Sequence, residues 1–542
     1  MKNALTVFLA LFLVLSICTP FAILAENSII TGSYNFELHT ERITQESIDA
    51  SREGAAVATL ADDNSAYNLI KASMLQGETS IVLTEANCSD YSSYNTLATL
   101  PKISNIAMSM TSDNPEIFYY HNAANIGYSK YPDDPTLLQI KVNLYLLEEH
   151  PNLEADKATF NAAVDKILDE VIFPGMTDLE MELAIHDYIV LNCAYDTTYG
   201  ADDTYNAYGV IVRKTAVCDG YARSFKLFMN RLGIPCQYVT GLGVNSSGSS
   251  EAHAWNRIQI GGEWYQVDTT WADPTPDKPG KVSYQYFNVD DATFKNPAIS
   301  GMGKHINYDE STNCTSKSFE NYRYINSFSG AKFTNNTVMY SSSVVSNPGL
   351  FSMDIDGSNN RTIHSGALYS MTDYKGLYTC FADYIAGVSI TIYQIKRDGS
   401  EKKTLASATS SEFTITDSTL NYTYGSTQTL TLDDVVNRAL NWISSDALIT
   451  DCELTNNGSR ATASLMVTAT ALNKSVKANL YLAIYDTNGA MIGISVIPAN
   501  VRINSAKTFS ISIDAPSGKT AASAKLFMMD SNMQPYIAAM TK

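Results

Sequence analysis

The chain reads as an α+β protein with an all-β C-terminal part, and three observations predict it. Residues 26–300 mix segments of helical and strand periodicity; from about residue 301 the pattern is short alternating strands broken by Asp-Gly, Asn-Gly and Ser-Gly turns. Between AHAWNRIQI and EWYQVDTTW stands Gly261-Gly262, a strong signal for a two-residue β-hairpin. The organisation that follows has five parts. They are a leader (1–25), an α/β lead-in (26–150), a central unit (151–300), a β-meander or propeller-like module (301–430) and an Ig- or fibronectin-like β-sandwich (431–542).

Taken in order, Met1 to Ala25 carries Lys2, an apolar run from Ala4 through Leu24 and small Ala25 at its end, the pattern of a secretory signal peptide. Cys18 follows Ile17 where a lipidation motif requires a small residue, so no lipid anchor is expected. Helical spacing covers Asp63–Leu75 and Tyr94–Met110, while TSIVL, EIFYYH and LLQIKVNLYLL read as strands. Leu153–Val171 and Asp178–Asn192 are helical stretches, the second with an N-cap at Thr177 or Asp178. Tyr221, Phe225, Phe228 and Leu232 mark one face of a helix that starts near Val217 and is stopped by Gly233 and Pro235.

Further on, LFSMDIDGSNNRTI and IYQIKRDGSEKKTL repeat one strand-turn-strand pattern 42 residues apart. Two copies are too few to close a propeller. Lys396 in the second copy stands where the first has Asp354, so a hairpin turn is preferred to a calcium loop. ATASLMVTAT, KANLYLAIY and KTFSISI then supply the strands of the last module.

Composition bounds the function classes. A chain of 542 residues, 45% hydrophobic with 33 Tyr, has material for several cores. Its net charge is −19 with no basic cluster, which excludes nucleic acid as a natural partner. Beyond the leader no apolar run approaches the ~20 residues of a membrane span. Without Cys18, seven Cys remain, none in a CxxC pair, so a zinc site has no support and mostly free thiols are expected. No metal and no cofactor are expected.

The chemistry concentrates in three strings: AVCDGYA, EAHAW and WYQVDTTW. Cys218 falls at a helix start, where exposed N–H groups and the dipole favour a thiolate and can donate to a developing oxyanion. With Ile260 facing Glu263 across the glycines, His253 lies opposite Thr270 and Trp255 opposite Asp268, so His253 and Asp268 share a face as diagonal neighbours. A thiol, an imidazole and a carboxylate suffice to make, activate and orient a nucleophile. That face also carries Trp255, Arg257, Gln259, Trp264 and Gln266, and is expected to wall a cleft. Trp255 and Trp264 are therefore candidate cleft residues, with core packing as the competing reading, while Trp271 is expected in the core. Tyr208 is a further cleft candidate as an oxyanion donor, against a packing role.

These strings resemble the transglutaminase-like superfamily, thiol enzymes on a papain-like fold, and most closely its secreted bacterial branch with the pattern VCxGYA, HAWN and WYxVDxTWxDP. The likeness covers roughly Met176 to Tyr286, with Ala207-Tyr208-Gly209 before the Cys and Ala272-Asp273-Pro274 after the Asp. It implies Cys218 as nucleophile, His253 as general base and acid, and Asp268 as the group that orients His253. It further implies acyl transfer on peptide or side-chain amides, with hydrolysis favoured over crosslinking, and a secreted enzyme acting on protein or peptide near the cell surface or wall. The alternative is a catalytically silent surface module that binds peptide or wall polymer through its cleft and β modules.

Overall fold

At the centre lies an antiparallel sheet of four strands, in the order Lys304–Ile306, Cys236–Val244, Ser250–Ile260, Glu263–Val267. The computed structural model describes residues 30–36, 65–131, 134–297 and 302–542, except 326–332, 343–347, 375–377, 386–388, 397–398, 417–418, 433–441 and 444–445. The leader at 1–25 therefore lies outside the described residues. Against the sheet packs the helix Cys218–Leu232, tied to it where Asn256 Nδ2 donates to the Ala222 carbonyl at 2.9 Å. Its far end closes at Gly233, whose φ of 76° is left-handed backbone that glycine adopts without strain. Tyr221, Phe225 and Phe228 are buried as their spacing predicts.

The helix Asp178–Asn192 starts with a reciprocal Thr177–Glu180 capping box, and Leu153–Val171 has the predicted bounds. In the lead-in, the sheet order is Ile30–Phe36, Tyr120–Lys130, Leu137–Leu146, Ser80–Leu83. Two expectations shift there. The helix predicted from Tyr94 begins at Leu100, with Pro101 in its first turn, and two short 3-10 turns precede it. Of EIFYYH only Tyr120 and His121 lie in a strand; Ile117, Phe118 and Tyr119 are buried in the turn before it. Phe118, Phe160, Leu183 and Tyr221 belong to one core, so the lead-in and the central unit fold around a shared interior.

C-terminal to Tyr324 every regular element among the described residues is a strand. The first Asp-Gly repeat forms the predicted hairpin, Gly349–Asp354 with Arg361–Ser365, turning at Gly357 with φ 82°. Ala367–Tyr374, Tyr378–Ile385, Ser389–Lys396 and Lys403–Ala408 form a four-stranded meander. An eight-stranded sheet takes strands from both sides of residue 430, joined by the parallel pairing of Phe333–Thr334 with Ser505–Asp514. Strands Arg460–Ala469 and Ser505–Asp514 of that sheet share an apolar core with Asn479–Tyr485 and Ser523–Met529 of a separate sheet. These strands also dock on the central unit: Ser475 Oγ donates to the Val171 carbonyl at 2.7 Å and Asn504 Nδ2 to Asp187 Oδ2 at 2.9 Å. Among the described residues no disulfide joins the seven cysteines, and no helix is long and apolar enough to cross a membrane.

Candidate active site

The site is built where the helix Cys218–Leu232 begins against the middle of the central sheet. Cys218 is the first helical residue, follows the extended Val217, and is 7% exposed. The approach to it is held by the parallel pairing of Ala194–Tyr195 with Thr215–Ala216, and Val217 N donates to the Thr204 carbonyl at 3.0 Å. Close packing at the helix start requires Gly220, where a Cβ would stand 2.7 Å from Ala216 Cβ and 2.8 Å from the Thr204 carbonyl oxygen. The room that Gly220 leaves is taken by the backbone of residues 204–206.

His253 lies on the strand Ser250–Ile260, paired with Gly241. The hairpin register is as predicted, Ile260 opposite Glu263 and Asn256 opposite Val267. The strand then stops one residue short of Asp268. The predicted pairs His253/Thr270 and Trp255/Asp268 do not form, because Asp268 caps the short helix Thr269–Ala272, its Oδ1 accepting from Thr270 N at 2.9 Å and Trp271 N at 3.1 Å. Asp is a strong N-cap and a poor strand residue. Capping leaves Oδ2 free to meet His253 Nε2 at 2.8 Å. Burial disfavours the imidazolium, yet the Asp268 carboxylate and the adjoining Cys218 sulfur outweigh it and raise the His253 pKa well above its ordinary value. Burial likewise opposes the Asp268 charge, and the two histidines beside it, His253 and His305, overcome this and hold the carboxyl well below the usual range. With Nε2 committed to Asp268, Nδ1 is the ring nitrogen left for the thiol.

A cavity of 380 Å³ opens at His253, lined among others by Tyr195, Tyr199, Glu251, Trp271, Asp273 and Tyr286. Burial pushes the Tyr195 phenol far above the ordinary range, with Cys218, Tyr199 and Glu251 adding to it. Asp273 accepts from Tyr221 OH at 2.5 Å, and burial raises its carboxyl to about 7. Among the described residues, Glu251 and Asp273 are the acidic groups of this lining, and no Lys or Arg is part of it.

The three expected cleft residues lie elsewhere. Trp255 is 1% exposed and packs with Val239, Tyr286, Phe294 and Tyr308, its indole N–H donating to Gln266 Oε1 at 2.8 Å. The polar hairpin face that was expected to wall a cleft is instead roofed by residues within 286–297 and 302–309, and Arg257 and Gln266 are buried with it. Trp264, half-buried near the hairpin turn opposite Gln259, does not line the cavity. Tyr208 is buried among Phe118, His150 and Phe160. Trp271, expected in the core, lines the cavity and stacks on His253 with ring centroids 5.1 Å apart. Short-range alternation cannot tell which face a distant segment will cover.

His305 was missed altogether. It stands on the strand Lys304–Ile306, paired with Gly243, and its Nε2 lies 2.9 Å from Asp268 Oδ2. A lone His in GKHIN carries no local signal. Ligand atoms of His253, Asp268 and His305 lie within 4.8 Å of one another, the kind of set a transition metal takes; here the hydrogen bonds to Oδ2 engage all three with each other.

A helix that presents a cysteine to an antiparallel sheet carrying a histidine, with a capping carboxylate behind, defines an α+β thiol-centred core. Residues 165–269 match the model of the transglutaminase-like superfamily. The matched span contains Cys218, His253 and Asp268 and ends before His305. Kyphoscoliosis peptidase of Homo sapiens is 28% identical over 153 residues, 26% of this chain and 23% of the relative. Its Mus musculus counterpart is 27% identical over the same length and shares. The chain thus spans about a quarter of the length of these curated relatives. Similar solved structures include a TGase, 17% identical, covering 29% of this chain and 47% of that one at a TM-score of 0.17. Red sea bream transglutaminase, 9% identical, covers 78% and 84% at a TM-score of 0.18. Scores this low add nothing to the account of the fold.

Proposed function

We propose that this protein is a thiol acyl-transfer enzyme acting on peptide or side-chain amides. Cys218 is the nucleophile, His253 the general base and acid, and Asp268 the residue that orients His253. The observation that carries this reading is the His253 Nε2 to Asp268 Oδ2 contact of 2.8 Å, with the Cys218 sulfur of the helix start adjoining the His253 ring and His253 itself lining the cavity. A raised His253 pKa keeps the ring protonated beside the sulfur, the state that pairs with a thiolate and can protonate a departing amine. The thiolate adds to the amide carbonyl, the C–N bond breaks, the amine leaves with the imidazolium proton, and a thioester remains. Water or a second amine then releases the acyl group. Backbone N–H groups of the helix start are aimed where the oxyanion forms.

Hydrolysis is favoured over crosslinking, since the curated relatives carry the name peptidase. The cavity's acidic lining suits neutral or cationic substrate groups. Secretion, expected from the leader, belongs to the same reading, and the C-terminal strands serve to present the enzyme.

The test is thiol labelling followed by a substrate screen. Burial pushes the Cys193 and Cys314 thiols up to about 12 and Cys452 up to about 11, so below pH 8 iodoacetamide is expected to modify Cys218 selectively. Cys218→Ser should abolish that modification. A peptide library incubated with a labelled primary amine, read by mass spectrometry, should yield cleaved backbones, whereas adducts of amine less ammonia would reveal transfer. Equal labelling of wild type and Cys218→Ser, with no turnover, would leave the silent binding module as the better account.

A further inference from the structure

The second histidine on Asp268 has no part in the three-residue scheme, and its surroundings dictate its state. Asp268 Oδ2 meets both His253 Nε2 at 2.8 Å and His305 Nε2 at 2.9 Å. An ionised carboxylate only accepts, so each Nε2 must carry the donated proton. His305 is 0% exposed and, among the described residues, its Nδ1 has no hydrogen-bond partner. A proton there would create a buried cation with an unpaired N–H, the most costly arrangement open to the ring. His305 is thus neutral, with its one proton on Nε2. Burial and the neighbouring His253, outweighing the attraction of Asp268, agree by lowering its pKa to about 4.

Its orientation is equally constrained. The ring lies flat on Phe294, centroids 3.8 Å apart and planes at 12°, with Trp271 at 4.3 Å and Trp255 at 4.9 Å. The backbone also places it: Gly241 pairs with His253 and Gly243 with His305, so the two imidazoles reach Asp268 from strands on either side of one central strand. Neither glycine has room for a Cβ. One at Gly241 would meet Trp255 at 2.6 Å, and one at Gly243 would meet Trp271 at 2.9 Å and His253 Cβ at 3.2 Å.

We propose that His305 is a positioning residue for the reaction, a neutral donor that pins Asp268 Oδ2 from the side opposite His253. This rests on the reading of Cys218, His253 and Asp268 given above. The second donor does two things to the carboxylate. It stops rotation about the Cβ–Cγ bond, which would swing Oδ2 off His253, and it takes up part of the negative charge that would otherwise bind the His253 proton. An Asp268 with a single histidine partner would hold the imidazolium more tightly and make it a weaker acid toward the leaving amine.

The test uses the full chain and three variants, His305→Phe, His305→Gln and Cys218→Ser. Phe keeps the stacking and removes the donor; Gln returns an N–H at a similar reach. Rates of Cys218 alkylation by iodoacetamide are measured against pH, together with kcat and KM on a cleaved peptide. Outer donors to catalytic ligands are typically worth about 10–100-fold, so His305→Phe is expected to lower kcat by that factor with KM little changed. It should also move the alkaline limb of the alkylation profile to higher pH, and His305→Gln should return both toward wild type. Unselective alkylation in the wild type, equal to that of Cys218→Ser, would sink the functional reading itself. Selective wild-type alkylation with an unmoved limb in His305→Phe would overturn the role of His305 alone. Should His305→Phe not fold, nitrogen-15 NMR of the wild-type histidines decides: the proposal requires an Nε2–H, bare-Nδ1 tautomer at His305, and an Nδ1–H tautomer refutes it.

Discussion

A single carboxyl away from the cavity shows how burial turns into pH dependence. Glu182 on the helix Asp178–Asn192 is fully buried; Asn288 Nδ2 donates to its Oε2 at 2.9 Å, while among the described residues Oε1 has no partner. Burial raises its pKa from 4.5 to about 8 against that bond. A group with a raised folded pKa contributes stability at pH below its unfolded value and loses it as pH climbs through the folded one. Between pH 5 and 8 unfolding free energy should therefore fall by up to about 1.4 kcal/mol per pH unit from this group. Urea unfolding across that window should show the slope, and Glu182→Gln should flatten it; an unchanged slope would mean the carboxyl is ionised in the folded protein. Sequence spacing singled out Cys218, His253 and Asp268 as candidates, because each sits in a string with its own local constraint. It could not identify His305, Tyr195 or Asp273, whose relevance comes only from what folds against them.

Among the elements, the central strand Cys236–Val244 does the most to shape the site. Its Gly241-Leu242-Gly243 run forms a floor over which two histidines and two tryptophans close on Asp268. Gly243→Ala should push Trp271 and His253 apart, costing about 1–3 kcal/mol as overpacking does and slowing Cys218 alkylation together with the loss of stability. The denaturation midpoint and the alkylation rate report the two effects, and a neutral substitution would show that the floor yields. The hairpin Ser250–Ile260/Glu263–Val267 was legible down to its register, since two glycines permit a two-residue turn and fix the pairing. Its end was not legible. Asp268 had two local choices, continuing a strand or capping a helix, and period-two reasoning extended the strand past the cap.

At the scale of the whole molecule, the C-terminal strands are fastened to the thiol-bearing unit through buried polar groups. Asp187 accepts from Tyr284 OH at 2.8 Å and from Asn504 Nδ2 at 2.9 Å, with Arg502 Nη1 at 3.7 Å. Arg502 also lies over the Phe333 ring at 4.6 Å. Replacing Asn504 by Gly, which keeps the left-handed φ of 58° without strain, removes a donor from a buried carboxylate, and a loss of about 1–3 kcal/mol is expected. Thermal unfolding should register this as a lower Tm with Cys218 alkylation per folded molecule unchanged; an unaltered Tm would mean the modules are not energetically joined here. Division of the chain into lead-in, centre and β modules followed from changes in periodicity, and helix limits from caps and stops, all properties of neighbours along the chain. Which hairpin face is roofed, which tryptophan meets the cavity, that one sheet draws strands from both sides of residue 430, and that a second imidazole shares Asp268 were decided by contacts between segments far apart in sequence. Such contacts are set by packing and by hydrogen bonds that buried polar groups must find, and no local pattern encodes them.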